Sequence, residues 1–184
     1  MRYVAPAFAI AALFLFVSRA EGQKAKPVTI ENLVTAQPVP EGYAVGLNEL
    51  KDGEKLLGHQ LAFTKEGVVS KVMVSVEERK LPDKAHKVTA LKGYINGTAK
   101  SFAEAGLKLV KKDIPDIGKV NVDKRTKCGL TYKTAEGGDI FIQMQILFTD
   151  VGYNIMVVAD NEGDYTSLTK WAETIQPVKK ESKK

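Results

Sequence analysis

The fold of this chain is decided by one stretch of its carboxyl-terminal half, DIFIQMQILFT at residues 139–149. Its side chains alternate with the period of two that a β-strand imposes on its two faces. One face carries Ile140, Ile142, Met144, Ile146 and Phe148, and the other carries Phe141, Gln143, Gln145 and Leu147. Because the second face is also half apolar, we expect other parts of the chain to cover both faces of this strand.

Turn residues bound this strand on both sides. Residues 135–138 precede it and residues 150–152 follow it, and both segments contain glycine. Alternating runs over 127–134 and 153–160 lie beyond these turns, and strands joined by such short connections pair antiparallel. The sequence therefore predicts an antiparallel meander over residues 127–160.

Further strands are predicted upstream of the meander. A hairpin connects a strand over 56–64 to a strand over 68–77, and the second of these has Val72, Val74 and Val76 on one face. A short strand is predicted over 107–111, and 120–122 is a candidate for another. Residues 44–55 contain Gly46, Asn48, Asp52 and Gly53, which are typical of turns, and are predicted to lie outside the sheet.

Two amphipathic helices are predicted. The first covers 89–105, where Leu91, Tyr94, Ile95, Thr98, Phe102 and Ala105 recur at helical spacing and Gly106 follows as a C′ residue. The second covers 164–176, with Asp164 as its N-cap and a stripe of Leu168, Trp171, Ala172 and Ile175. Together with the strands they predict an α+β fold, in which the two main amphipathic helices pack on a mostly antiparallel sheet of about six strands.

Two glycines interrupt the first predicted helix. Gly93 and Gly97 lie one turn apart, and each destabilises a helix interior by about 1 kcal/mol relative to alanine. Our hypothesis from the sequence is that they allow another element to pack closely against the helix.

The amino terminus is predicted to be a secretory signal peptide over 1–20. Arg2 leads into an uncharged apolar run over 3–17, and Ser18-Arg19-Ala20 supplies the small residues of a cleavage site. The run is shorter than the roughly 20 apolar residues that span a membrane as a helix. We therefore expect a secreted or periplasmic protein with no stable membrane anchor after signal removal, built from a flexible N-terminal arm (21–39), a single α+β domain (40–178) and a basic tail (179–184).

The formal charge of +5 lies at the two ends of the chain. Arg2 and Arg19 belong to the predicted signal, and the tail holds four lysines against one glutamate. The 21 basic and 21 acidic side chains of residues 21–178 balance. Nucleic-acid binding needs a basic stripe on the folded surface, so we expect no nucleic-acid partner.

No pattern indicates a catalytic, cofactor or metal site. The chain has two histidines, His59 in a predicted strand and His86 in a predicted polar loop, and no Gly-x-Ser-x-Gly motif. The single cysteine, Cys128, lies in a predicted strand and is expected to be buried, which leaves no disulfide and no zinc cluster.

Two weaker patterns have structural explanations. Asp160, Glu162 and Asp164 resemble part of a calcium loop, but the closing acid of an EF-hand is missing, and a turn followed by an N-cap explains the same residues. Tyr165 and Trp171 could form a binding face, but Trp171 lies in the apolar stripe of its helix and is predicted to belong to the core.

The layout resembles the PsbP/Mog1-like family of α/β/α sandwich proteins, which includes exported bacterial relatives. The matching stretches are Pro40-Glu41-Gly42-Tyr43, the helix around 94–102, the strands through 140–159 and the closing helix at 165–175. The resemblance concerns the order of elements over most of 40–177 and transfers no functional residue. Cystatin-like and nuclear-transport-factor-like folds remain alternatives. Members of the family mostly act as non-catalytic accessory or docking proteins, and this is what the resemblance implies here.

Three functions are weighed on these grounds. The first is a non-catalytic accessory protein of the cell envelope or periplasm, whose partner is another envelope or secreted protein. The alternative is a small-ligand or lipid carrier with a cleft between helix and sheet, lined by Met73, Tyr94 or Met144. The third and least favoured is an enzyme that uses carboxylates such as Glu77, Glu78 and Asp139.

Overall fold

A computed structural model describes residues 27–77 and 79–178 of the chain. Its elements, in chain order, are β1 (Val28–Ile30), β2 (Val34–Ala36), β3 (Ala44–Asp52), β4 (Lys55–Thr64), β5 (Lys71–Glu77), α1 (Lys84–Glu104), β6 (Lys108–Asp113), β7 (Thr126–Lys133), β8 (Asp139–Phe148), β9 (Gly152–Ala159), α2 (Glu162–Ala172) and β10 (Gln176–Pro177). The α+β class predicted from the sequence is confirmed. The meander of β7, β8 and β9 lies where the alternation placed it.

The strands form two sheets. The large sheet has seven antiparallel strands in the order β3-β4-β5-β9-β8-β7-β6, and a small sheet has the order β1-β2-β10. The decisive strand, β8, therefore lies inside the large sheet between β9 and β7. The prediction of about six strands is roughly correct; among the described residues, the strand that it missed in the large sheet is β3.

Each face of the large sheet is covered by one helix. The even-numbered face of β8, with Ile142, Met144 and Ile146, packs in one buried cluster with Leu91 and Ile95 of α1. The opposite face carries Ile155 and Val157 of β9 into a second cluster with Leu168, Trp171 and Ala172 of α2. We call these the α1 face and the α2 face. The expectation that both faces of β8 are covered is confirmed.

Helix α1 begins earlier than the apolar pattern predicted. Asp83 caps it, since its carboxylate accepts the backbone N–H of His86, and the helix runs from Lys84. The helix ends at Glu104 with Ala105 as its C-cap, and Gly106 follows with a φ of +83°, the left-handed conformation that glycine adopts without strain. The predicted C′ glycine is confirmed.

The hypothesis that Gly93 and Gly97 allow close packing is wrong. A Cβ atom added at either position would meet no atom within 4 Å. The glycines that packing requires lie elsewhere: a Cβ at Gly58 would lie 2.1 Å from the carbonyl oxygen of Val76, and a Cβ at Gly152 would lie 2.2 Å from the hydroxyl oxygen of Tyr94.

Helix α2 is capped by Asn161 rather than by Asp164. The side-chain oxygen of Asn161 accepts the backbone N–H of Asp164, which places Asp164 in the first turn. The helix ends at Ala172, four residues before the predicted end, and its predicted apolar stripe is buried.

A polar network joins α2 to the sheet. The guanidinium of Arg125 donates to the side-chain oxygen of Gln145, to the carbonyl oxygen of Ala172 at 3.1 Å and to the carbonyl oxygen of Ile175. Gln145 has no exposed surface and donates in turn to the carbonyl oxygen of Thr169 at 3.3 Å. Arg125 thus supplies donors to one carbonyl group at the end of α2 and one just beyond it, where a helix no longer provides all the partners for its carbonyl groups.

The sequence predicted a flexible arm over 21–39, but residues 28–36 within it belong to the folded domain. They form β1 and β2, and Ile30, Val34 and Ala36 are buried against α2. The indole N–H of Trp171 donates to the carbonyl oxygens of Gln37 at 3.1 Å and of Pro38 at 3.0 Å. The prolines and polar residues suggested a mobile segment. Three buried apolar side chains and the hydrogen bonds from Trp171 instead hold this segment against the rest of the domain.

Residues 44–52 form a strand, β3, instead of the predicted turns. Glycine and asparagine are tolerated there because this strand pairs on one side only and its side chains are mostly exposed. Residues 120–122 form no strand, although Val122 is buried beside α1.

The predicted signal peptide, the basic tail and Glu78 lie outside the described residues. Neither of the described helices is long and apolar enough to cross a membrane.

Candidate functional site

The outer side of β3 has no neighbouring strand among the described residues. The register of β3 against β4 is regular from Ala44 to Leu50 and shifts between Leu50 and Lys51. Within this regular part, which we call the open edge, Glu49 is the sole charged residue and the side chain of Leu47 is 46% exposed. A line of backbone donors and acceptors therefore faces solvent beside an exposed apolar side chain.

The β3–β4 hairpin extends past the rest of the sheet. Strand β4 pairs with β5 only from Gly58 to Thr64. Residues 51–57 therefore have partners only within the hairpin, in the pairs Lys51–Leu56 and Asp52–Lys55, and all seven are exposed. Leu56 and Leu57 lie here with 36% and 43% of their surfaces exposed. We call residues 51–57 the hairpin tip. It places two apolar side chains at one end of the open edge.

The opposite edge of the sheet, β6, has a different character. Three of its six residues are lysines, Lys108, Lys111 and Lys112, and its register shifts between Leu109 and Lys111. Lysines and bulges are the usual means by which an edge strand avoids pairing with another chain. Edge β6 is therefore protected against strand addition, whereas the regular part of β3 carries no lysine.

A cleft of about 280 Å³ lies between α1 and β9 on the α1 face. We call it the α1 cleft; its lining residues are Gly93, Tyr94, Gly97, Thr98, Ser101, Phe102, Asn154 and Met156. The Tyr94 ring stacks on Phe148 with ring centroids 6.4 Å apart, and Phe102 stacks on Tyr132 at 5.4 Å. Burial, followed by the nearby charge of Glu77, raises the pKa of the Tyr94 hydroxyl. The cleft wall therefore stays neutral.

A second cleft, of about 540 Å³, lies on the α2 face beside the amino-terminal end of α2. It is lined by Phe141 and Tyr165, whose ring centroids are 5.5 Å apart, and by Lys111, Asp113, Asp139 and Glu162. Asp139 forms an ion pair with Lys133 at 3.0 Å. The lining therefore carries three carboxylates against one lysine, and one of these carboxylates is already in an ion pair.

The two histidines do not come together. His59 lies in β4 opposite Val76 of β5, in the interior of the large sheet. His86 lies in the first turn of α1 and not in a loop, and its Nδ1 is 2.9 Å from the carboxylate of Asp83. The capping role of Asp83 accounts for this contact, and the pair is exposed to solvent.

The acidic candidates are also separated. Asp139 begins β8 and pairs in register with Lys133, whereas Glu77 ends β5 at the opposite end of the sheet. The carboxylate of Asp160 accepts hydrogen bonds from Ser70 and Asn161, and Asn161 also donates to Asp164. No group of three His, Cys, Asp or Glu side chains within residues 27–77 and 79–178 is placed to hold a metal ion.

Cys128 is buried, as the sequence predicted, with 2% of its surface exposed. Burial, with a contribution from the charge of Asp113, raises the pKa of the thiol to about 11. At neutral pH the side chain is therefore a protonated thiol, which is the unreactive form.

Sequence reasoning missed the open edge and the Arg125 network. The signal for the edge is the spacing of Val45 and Leu47, which is the alternation of a strand, but the turn-forming residues between and after them concealed it. No local pattern marks Arg125, since its partners Gln145, Ala172 and Ile175 are 20 to 50 residues away.

No protein-family model matches this sequence, and no curated protein sequence matches it.

Proposed function

We propose that this chain is an exported, non-catalytic accessory protein that binds an extended segment of another envelope or secreted protein along its open edge. The observation that carries this proposal is the difference between the two edges of the large sheet. Edge β6 has three lysines and a register shift in its centre. Edge β3 has a stretch of seven residues in regular register that carries a single charge.

An unpaired strand edge recognises another extended backbone. Its N–H and C=O groups repeat every two residues, and a peptide that adds as a further strand satisfies them all at once. Seven residues at about 3.3 Å each span about 23 Å, which is enough for a partner segment to form several backbone hydrogen bonds. Such an edge is a liability when it has no partner, and the contrast with β6 indicates that this one is kept open for use.

The exposed leucines supply the apolar part of the interface. Leu47 lies in the middle of the open edge, and Leu56 and Leu57 lie on the hairpin tip at one end of it. Side chains of an added strand that point to the α2 face would lie beside Leu47, and residues beyond that strand would contact the tip. We therefore propose a partner segment with alternating apolar residues.

The remaining parts of the proposal rest on the sequence and on the order of elements. The apolar amino terminus supports export. The order of elements is a hairpin, a helix, a meander and a closing helix, and one helix lies on each face of the sheet. This order supports a PsbP/Mog1-like sandwich, for which an accessory role is typical. A non-catalytic function is supported by the separation of His59 in β4 from His86 in α1, and of Asp139 from Glu77 at the opposite end of the sheet.

The proposal is tested by comparing two lysine substitutions on the two edges. Leu47→Lys places on the open edge the residue that protects β6, and Val110→Lys makes the matched change on the opposite edge. Each tagged variant is crosslinked in its native envelope, and the captured proteins are quantified by mass spectrometry. We expect a partner that wild type and Val110→Lys retain and Leu47→Lys loses, with slower amide hydrogen exchange in residues 44–50 of the complex. Capture that is the same for all three proteins contradicts the proposal.

A further inference from the structure

We propose that the α1 cleft is a second binding site, independent of the open edge, for a small, uncharged and mainly apolar molecule that carries one hydrogen-bond donor. Three features of the cleft support this: two helix glycines without a packing role, a buried oxygen without a hydrogen-bond partner, and a lining of aromatic and apolar side chains.

The glycines leave space where a helix would ordinarily have side chains. Gly93 and Gly97 line the cleft, and a Cβ at either position would meet no atom within 4 Å. Glycine weakens a helix interior, and alanine would fit at both positions without a clash. What these residues provide is therefore the open volume beside the helix.

Asn154 supplies an acceptor at the floor of the cleft. Its side-chain oxygen is buried and accepts no hydrogen bond from the described residues. A buried acceptor without a hydrogen bond lowers the stability of the folded state, and native structures contain few of them. Since the residue as a whole is only half-buried, a small rotation of its side chain presents this oxygen to a molecule in the cleft. An N–H or O–H donor on that molecule would satisfy it.

The walls define the rest of the ligand. The rings of Tyr94 and Phe102 and the side chain of Met156 give an apolar surface, and Thr98 and Ser101 are neutral. No Lys, Arg, Asp, Glu or His is among the lining residues. A volume of about 280 Å³ is slightly below the usual range for small-molecule pockets, about 300–1,000 Å³. The site therefore fits a molecule the size of indole rather than a lipid.

The test is an NMR titration of the purified protein with indole, which has an N–H donor, and with 1-methylindole, which lacks it. We expect indole to shift the amide signals of residues 93–102 and 154–156 and to bind in the micromolar to millimolar range. 1-Methylindole should bind about threefold to tenfold more weakly, which is the usual net effect of one hydrogen bond.

Gly97→Leu is the decisive variant, because it fills the cleft without disturbing the core. We expect it to abolish indole binding while its unfolding midpoint stays equal to or above that of the wild type. Asn96→Leu is the matched control, since Asn96 is exposed on the same helix and does not line the cleft. It should bind indole as the wild type does.

Two results would overturn the inference: wild-type protein that shows no indole binding at the cleft, or Gly97→Leu protein that still binds indole normally. Leu47→Lys separates this site from the open edge. It should lose the protein partner and keep indole binding.

Discussion

The two helices of this domain are attached to the sheet in different ways. Helix α2 has 11 residues, of which Leu168, Trp171 and Ala172 are buried, whereas α1 has 21 residues and also buries three, Ala90, Leu91 and Ile95. Side-chain hydrogen bonds from Arg125, Gln145 and Trp171 hold α2. On α1, two glycines instead leave a cleft beside the sheet. A short helix can thus be fixed firmly while a helix of twice its length retains free surface.

The difference follows from where hydrogen-bonding groups are buried. Arg125 donates to carbonyl groups near the end of α2, and Trp171 donates to the backbone of the segment that crosses over it. These bonds have a fixed direction and therefore fix the position of α2. Apolar contacts, such as those of Leu91 and Ile95, have no preferred direction and fix the position of α1 less strictly.

The largest effect is expected from Trp171→Ala. The ring packs edge-on against Phe63 with centroids 4.9 Å apart, and its N–H ties residues 37 and 38 to α2. Removal should lower the free energy of unfolding by about 3–5 kcal/mol, as is usual for a buried aromatic. Urea unfolding measures this. Trp171→Phe keeps most of the packing and loses the bonds, and should cost much less; an equal loss for both would show that the hydrogen bonds dominate.

Arg125→Met should have the next largest effect. The substitution removes the side-chain donor to the carbonyl oxygen of Ile175 and to the buried oxygen of Gln145, while the Ala172 carbonyl keeps its bond from the Ile175 N–H. We expect a loss of about 2–3 kcal/mol in the free energy of unfolding. Lys127→Met is the control, because Lys127 forms an exposed ion pair with Glu173 at 2.6 Å and should contribute less than about 1 kcal/mol. Equal losses for the two variants in urea unfolding would contradict the role given to the network.

The smallest effect, with the opposite sign, is expected on the other helix. Gly93→Ala should raise the free energy of unfolding by about 1 kcal/mol, because alanine stabilises a helix interior and its Cβ meets no other atom. Thermal unfolding followed by circular dichroism measures the change. Gly152→Ala is the contrasting variant and should be destabilising, since its Cβ would overlap the hydroxyl of Tyr94. A loss of stability in Gly93→Ala would mean that α1 packs more closely than the structure shows.

Much of the fold could be predicted from local patterns, and the exceptions share a cause. The strands over 127–160 and the apolar stripe of α2 were predicted because each buries a complete face, and a buried face requires apolar residues at regular spacing in the sequence. Strands β1, β2 and β3 were missed, since edge and short strands bury few side chains and tolerate turn-forming residues. The boundaries of the helices shifted because caps such as Asp83 and Asn161 are polar and look like loop residues.

The candidate sites could be predicted less well. The sequence suggested a cleft between helix and sheet near Tyr94, and the structure places a cleft there with Met156. Of the other two residues named for it, Met144 is fully buried, and neither Met144 nor Met73 is among the lining residues. The position of the open edge depends on which strand lies at the end of the sheet, and local sequence patterns do not indicate the order of strands in a sheet.

The sequence by itself determined the class of this protein: a neutral α+β body with an antiparallel meander, two amphipathic helices and a buried cysteine. These features depend on residues close together in the chain, whose periodicity reflects burial directly. Only the tertiary structure decided that β3 lies at an edge, that Arg125 binds the end of α2 and that Gly93 and Gly97 border an open cleft. Each of these results from contacts, or from missing contacts, between segments far apart in sequence. A buried position accepts few residue types, whereas an exposed position accepts many, so the sequence records burial more clearly than it records an open surface.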